Sequence, residues 1–125
     1  MNKTILIVED EQTFLDILTL RFEQEGFTVM SAHNGKEGLE LALAHHPAII
    51  LLDIIMPLMD GVAMIDELRK DPWGKDAPVV LLSNLSDVEK TIDTASRHVT
   101  DYWVKSDTSL DDVVEKVKGK IIVAV

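Results

Sequence analysis

An α/β fold with a parallel sheet and helices on both faces is predicted by three features of this 125-residue sequence. Short β-type runs alternate with stretches of helical periodicity, giving successive βα units along the whole chain. Several of the runs are apolar at consecutive positions, the pattern of strands covered on both faces. Each of four runs then ends in a residue with chemistry: Ile5-Leu6-Ile7-Val8 in Glu9-Asp10-Glu11, Ala48-Ile49-Ile50-Leu51-Leu52 in Asp53, Val79-Val80-Leu81-Leu82 in Ser83, and Tyr102-Trp103-Val104 in Lys105.

Thr4–Val8 is apolar and partly β-branched, which suits a first strand. After Gln12, the residues Phe14, Leu15, Leu18 and Phe22 share one helical face, and Gly26 ends that helix. Phe27–Ala32 is a second, weaker strand. Asn34-Gly35-Lys36-Glu37 is a helix start with Asn34 as N-cap and Glu37 three residues on. Leu39, Ala42 and Leu43 are expected on one side of that helix, and Pro47 closes it. Ala48–Leu52 is the third strand, and a loop with Pro57, Asp60 and Gly61 follows. Val62, Ile65 and Leu68 mark a third helix, and Asp71–Pro78 is a polar connection. Val79–Leu82 is the fourth strand. Ser86 and Glu89 form a capping box for a fourth helix faced by Val88, Ile92 and Ala95. Asp101–Val104 is the fifth strand, and Leu110, Val113, Val114, Val117 and Ile121 give the clearest helical stripe. Crossovers in such a sheet are right-handed. If the first and third strands are neighbours, the strand order is 2-1-3-4-5 and the acidic crevice lies at the switch point, where ligands bind in open α/β sheets.

The length suits one domain spanning residues 1–125. With no cysteine there is no disulfide framework, thiolate metal site or sulfur redox chemistry, which suits a reducing cytoplasm. No apolar run approaches the ~20 residues that cross a bilayer, so membrane insertion is not expected. The formal net charge of -10 opposes direct binding to nucleic acid or an anionic membrane. The histidines form no ligand set: His45 and His46 end a helix, and His33 and His98 stand alone. Gly35 and Gly38 fit a helix start and a close packing point rather than a phosphate loop.

Neighbouring strands lie about 4.8 Å apart, so carboxylates at two adjacent strand ends can meet. Packed together without a cation they would repel. Mg²⁺ suits such a cluster, because it prefers oxygen ligands and uses one or two carboxylates together with water and phosphate oxygens. A carboxylate held beside it, as Asp53 would be, can act as a nucleophile and form an acyl phosphate. Lys105 can reach a phosphoryl oxygen as a point charge, and Ser83 can offer its hydroxyl. The plainer alternatives are an acidic turn of Glu9, Asp10 and Glu11 capping the first helix, a strand-end Asp53 capping its own loop, an exposed Lys105, and a Ser83 that merely begins a turn.

The sequence resembles a bacterial-type response regulator receiver domain over nearly all its length. Ile5–Glu11 resembles the opening strand and acidic pair of that family, and Leu51–Gly61 the segment around its phosphorylated Asp. Leu82-Ser83-Asn84 is similar to its hydroxyl switch segment, and Asp101–Lys105 to the strand carrying its switch aromatic and Lys. The resemblance implies a flavodoxin-like (βα)5 three-layer sandwich. It implies Asp53 as phosphoacceptor, Glu9, Asp10, Asp53 and the Ile55 carbonyl as Mg²⁺ ligands, and Ser83 and Lys105 on the phosphoryl oxygens. Tyr102 would swing inward with Ser83 and alter the face of the fourth helix, fifth strand and fifth helix. The partners implied are a histidine kinase or histidine phosphotransfer protein and a downstream protein target. The chain would be a signalling module rather than an enzyme, either stand-alone or part of a longer regulator.

Three departures from the family stand out. Ser106 replaces the usual Pro after the Lys, so a trans or strained Lys105–Ser106 bond is expected. Asn84 is larger than the usual small residue, and His98-Val99 stands where Gly-Ala is common. Ile55 and Leu85 are apolar and cannot orient an attacking water, which predicts slow self-dephosphorylation. The rival within the fold is a pseudo-receiver that docks proteins without phosphorylation. A phosphohydrolase would need an acid where Ile55 stands, and a flavin carrier would need a phosphate loop where Glu9-Asp10-Glu11 stands.

Overall fold

The computed structural model describes residues 3–53, 59, 61–83, 101–104 and 109–123. The strands are β1 (Thr4–Val8), β2 (Thr28–Ala32), β3 (Ile49–Asp53), β4 (Val79–Ser83) and β5 (Asp101–Val104). The helices are α1 (Gln12–Gln24), α2 (Gly35–His45), α3 (Gly61–Leu68) and a C-terminal helix, Leu110–Val123, with a 3₁₀ turn at Gly74–Asp76. The strands form one parallel sheet of order β2-β1-β3-β4-β5, the order expected from the acidic strand ends. The expected fourth helix around Ser86–Ala95 lies outside the described residues.

Alternation along the strands divides the core into two layers. Ile5, Ile7, Ile49, Leu51, Val80 and Leu82 face Leu15, Leu18 and Phe22 of α1 and Val113, Val114, Val117 and Ile121 of the C-terminal helix. Leu6, Val8, Ile50, Leu52, Val79 and Leu81 face Ala42 of α2 and Met64, Ile65 and Leu68 of α3. This explains why β1, β3 and β4 are apolar at consecutive positions: neither face of the sheet meets water there. The edge strand β2 is less buried, in keeping with its weaker pattern. Phe27, expected to open β2, instead precedes it and packs edge-on to Phe22 with ring centroids 5.2 Å apart.

One expected face is corrected. In α2, Leu43 is exposed, and the buried positions are Gly35, Gly38 and Ala42, with Leu39 half-buried. Small residues line the inside because α2 lies close to its neighbours. A Cβ on Gly38 would fall 2.8 Å from Val8 Cγ2 and 3.2 Å from Met64 Sδ. The expected N-cap is present: Asn34 Oδ1 accepts from the Glu37 backbone N–H at 2.9 Å. At the other end His46 takes a left-handed conformation (φ 49°) before Pro47 and stacks on Trp73, with ring centroids 4.3 Å apart. The loop carrying Trp73 is tied down by Asp71 Oδ2, which accepts from the N–H groups of Trp73 and Gly74. Arg69 Nη1 donates to the carbonyls of Gly74 and Ala77.

Candidate functional site

The parallel register brings the carboxyl ends of the strands to one edge of the sheet. Val8 pairs with Leu52, so Glu9 and Asp53 are the next residues on adjacent strands. Asp53 in turn pairs with Leu82, and Ser83 with Val104. The backbone therefore sets Glu9, Asp53, Ser83 and the end of β5 along a single edge.

The acidic side chains converge there. Glu9 is 2% exposed and Asp53 6%, whereas Asp10 is exposed. A carboxylate oxygen from each of the three lies within 4.8 Å of the others. Two local features place Glu9. Its backbone N–H donates to the Ala32 carbonyl at 2.9 Å, which continues the β1–β2 pairing by one residue. It also follows Val8, which is clamped between the sheet and Gly38. Glu11 stands at the N-cap of α1, its side chain makes no capping bond, and the first turn of α1 holds no acidic residue.

At an effective dielectric of about 20, three ionised carboxylates at this spacing repel by roughly 3 kcal/mol per pair. A hard divalent cation converts that repulsion into attraction. The donor set fits Mg²⁺, which takes oxygen ligands, needs few carboxylates and retains water. Two of the three carboxylates are buried and the third, that of Asp10, is exposed. Among the described residues this is the one group of three or more acidic or histidine side chains close enough to hold a metal. Beneath it is a small hollow lined by Glu9, Asp53, Phe14, Leu18, Leu51 and Leu82, among others. Phe14 was legible in the sequence as a core residue of α1, but not as a wall of the site. Its position on the first turn after Glu11 was the available signal.

Ser83 closes β4, one residue beyond the expected strand, and Tyr102 lies in β5 as expected; the side chains of both are outside what is described. Lys105 and Ile55 are outside the described residues altogether, as are the Lys105–Ser106 bond, Asn84, Leu85 and His98-Val99. The backbone of β5 runs to Val104, beside Ser83.

A doubly covered parallel sheet with an acidic cluster at the ends of its first and third strands places the chain among the open α/β domains, whose ligand sites lie at the carboxyl ends of the strands. Comparison with known proteins narrows the class. Residues 5–118 match the family described as "Response regulator receiver domain". The chain therefore belongs to the response regulator receiver domain family, whose members serve two-component signalling rather than enzymatic turnover. It is similar to the "Probable transcriptional regulator ycf27" of Porphyridium aerugineum, 38% identical over 104 residues covering 83% of this chain and 42% of that protein. It is also similar to the "Transcriptional regulatory protein SrrA" of Staphylococcus aureus (strain NCTC 8325 / PS 47), 35% identical over 119 residues covering 95% and 48%. The chain thus spans under half the length of these curated relatives. Among solved structures, the receiver domain of the Francisella response regulator 1452 superposes with a TM-score of 0.87 at 27% identity, covering 99% of this chain and 100% of that one. A CheY-like receiver domain protein of Methanospirillum hungatei JF-1 gives 0.86 at 26% identity, covering 97% and 94%.

Proposed function

We propose that this chain is a phospho-accepting receiver, with Asp53 as the acceptor of a phosphoryl group from a phosphohistidine. The donor would be a histidine kinase or a histidine phosphotransfer protein. The observation that carries the reading is the convergence of the Glu9, Asp10 and Asp53 carboxylates within 4.8 Å at the carboxyl edge of the sheet. Glu9, Asp10 and Asp53 would hold Mg²⁺, with the Ile55 carbonyl as a further ligand. Bound there, Mg²⁺ neutralises charge on the phosphoryl oxygens.

The residues of the chain do the rest. An Asp53 oxygen attacks phosphorus in line with the P–N bond of the donor. The O–P bond that forms makes an acyl phosphate, and the electron pair of the broken P–N bond stays on the imidazole nitrogen. Burial of Asp53 in the last position of β3 fixes the direction of that attack, so little freedom is lost at the moment of transfer. Lys105 would pair with one phosphoryl oxygen and Ser83 would donate its hydroxyl to another. Drawing Ser83 toward the phosphate would shift Tyr102 inward and bias the face around β5 and the C-terminal helix toward a second arrangement, which a downstream protein reads. The apolar Ile55 and Leu85 would leave the acyl phosphate slow to hydrolyse. The reading places the chain in the cytoplasm; among the described residues, no helix is long and apolar enough to cross a membrane.

The test is incubation with Mg²⁺ and a small phosphodonor, followed by intact mass measurement. One adduct of about 80 Da is expected on the wild-type chain and none on Asp53→Ala. A wild-type chain that gains no mass would instead favour a receiver fold used only for docking. An adduct that persists in Asp53→Ala would remove Asp53 as the acceptor.

A further inference from the structure

Met59, between Asp53 and α3 in the chain, is bonded to the start of α2. The Gly35 backbone N–H donates to the Met59 carbonyl at 2.8 Å. Gly35 is the first residue of α2, so this N–H is one of the donors that a helix start leaves without an intrahelical partner. Gly35 does not have a positive φ. What excludes a side chain there is space: a Cβ would fall well inside contact distance of the Met59 carbonyl oxygen and 3.0 Å from Met59 Cβ. One turn later Gly38 seats α2 against Val8, the residue before Glu9. The start of α2 thus touches the chain on both sides of the acidic cluster: just before Glu9, and after Asp53 at Met59. It is itself fixed by the Asn34 cap and by Ala32, whose carbonyl accepts from the Glu9 N–H.

From this we infer that Gly35 is a positioning residue for the acidic site, its backbone bond to Met59 bracing the connection between Asp53 and α3. The inference rests on the proposed phosphoryl chemistry. It adds a residue that touches neither metal nor phosphoryl group yet holds Met59, which lies between Asp53 and α3 in the chain, against the start of α2.

The test compares Gly35→Ala with Gly74→Ala in the full chain. A Cβ on Gly74 would collide with the Leu68 carbonyl and lie 2.9 Å from Leu68 Cδ1, a similar clash. Gly74 precedes β4, so that clash is at the opposite end of the strands from the carboxylates. Both substitutions are expected to lower the urea midpoint. Only Gly35→Ala is expected to raise the half-saturating Mg²⁺ for adduct formation, by roughly tenfold or more, as loss of an outer support around a metal site does. Equal half-saturation in the two variants overturns the inference while leaving the phosphoacceptor reading in place. A wild-type chain that neither gains the adduct nor binds Mg²⁺ by calorimetry overturns both.

Should Gly35→Ala fail to fold, amide exchange on the wild-type chain serves in its place. If the brace favours Mg²⁺ binding, Mg²⁺ must favour the brace by the same free energy. Protection of the Gly35 N–H is then expected to rise with Mg²⁺ more than that of the Ala77 N–H, which bonds the Gly74 carbonyl at the far end of the sheet. Equal changes at the two amides overturn the inference.

Discussion

Glu9 and Asp53 are the buried acidic side chains among the described residues, and both sit where a fold loses stability by holding charge. Their partners and the fixed strand ends keep them in place, and the mutual repulsion of the cluster is the cost. Asp53→Asn removes one charge at nearly constant volume. It is therefore expected to stabilise the Mg²⁺-free chain by roughly 1–2 kcal/mol, less than the full pairwise repulsion because the favourable interactions of the carboxylate are weakened too. Urea denaturation in the presence of a chelator measures this directly. A less stable Asp53→Asn chain would mean that the carboxylate is held mainly by favourable partners, and that the cluster is not strained without a cation.

At the scale of single elements, α2 and the C-terminal helix make opposite predictions. Asn34→Ala removes the bond to the Glu37 N–H and should cost about 1 kcal/mol, visible as a lower urea midpoint. Gly119 lies exposed within the C-terminal helix, and a Cβ there would meet nothing within 4 Å. Gly119→Ala should therefore gain about 0.5–1 kcal/mol, since helix propensity acts with no steric opposition. A loss of stability would reveal a close contact at that face. The same two helices show how far the sequence could be followed. The stripe Leu110, Val113, Val114, Val117 and Ile121 was legible because large apolar residues mark the inner face, and that face packs as expected. In α2 the hydrophobic pattern pointed to Leu43, which is exposed, because the true inner face is built of Gly35, Gly38 and Ala42. Hydropathy cannot register a face whose requirement is absence of volume. Glu9, Asp10 and Asp53 were legible because a carboxylate at the end of an apolar strand has few places to go. The Gly35–Met59 bond was not, because it joins two backbones and leaves no pattern in side chains.

For the whole molecule, the charge balance sets a final prediction. Twenty-two acidic residues against twelve basic ones give a formal charge of -10, and among the described residues most of these groups are exposed. Such self-repulsion destabilises the compact state and is screened by any salt. Raising NaCl from about 10 mM to 150 mM shortens the screening length from about 30 Å to about 8 Å, so it should raise the urea midpoint modestly. Salt screens buried charges far less than exposed ones, so NaCl should leave the repulsion between the buried Glu9 and Asp53 largely intact. Mg²⁺ acts differently, because binding to the folded state alone adds stability by mass action, about 2.7 kcal/mol at a hundredfold excess over Kd. At matched ionic strength, Mg²⁺ should therefore stabilise the wild-type chain well beyond NaCl, and the excess should shrink strongly in Asp53→Asn. If the two salts have equal effects on the wild-type chain, the cation response belongs to the whole charged surface. The carboxyl edge of the sheet would then hold no specific ion, and the phosphoryl chemistry proposed for Asp53 would lose the partner it requires.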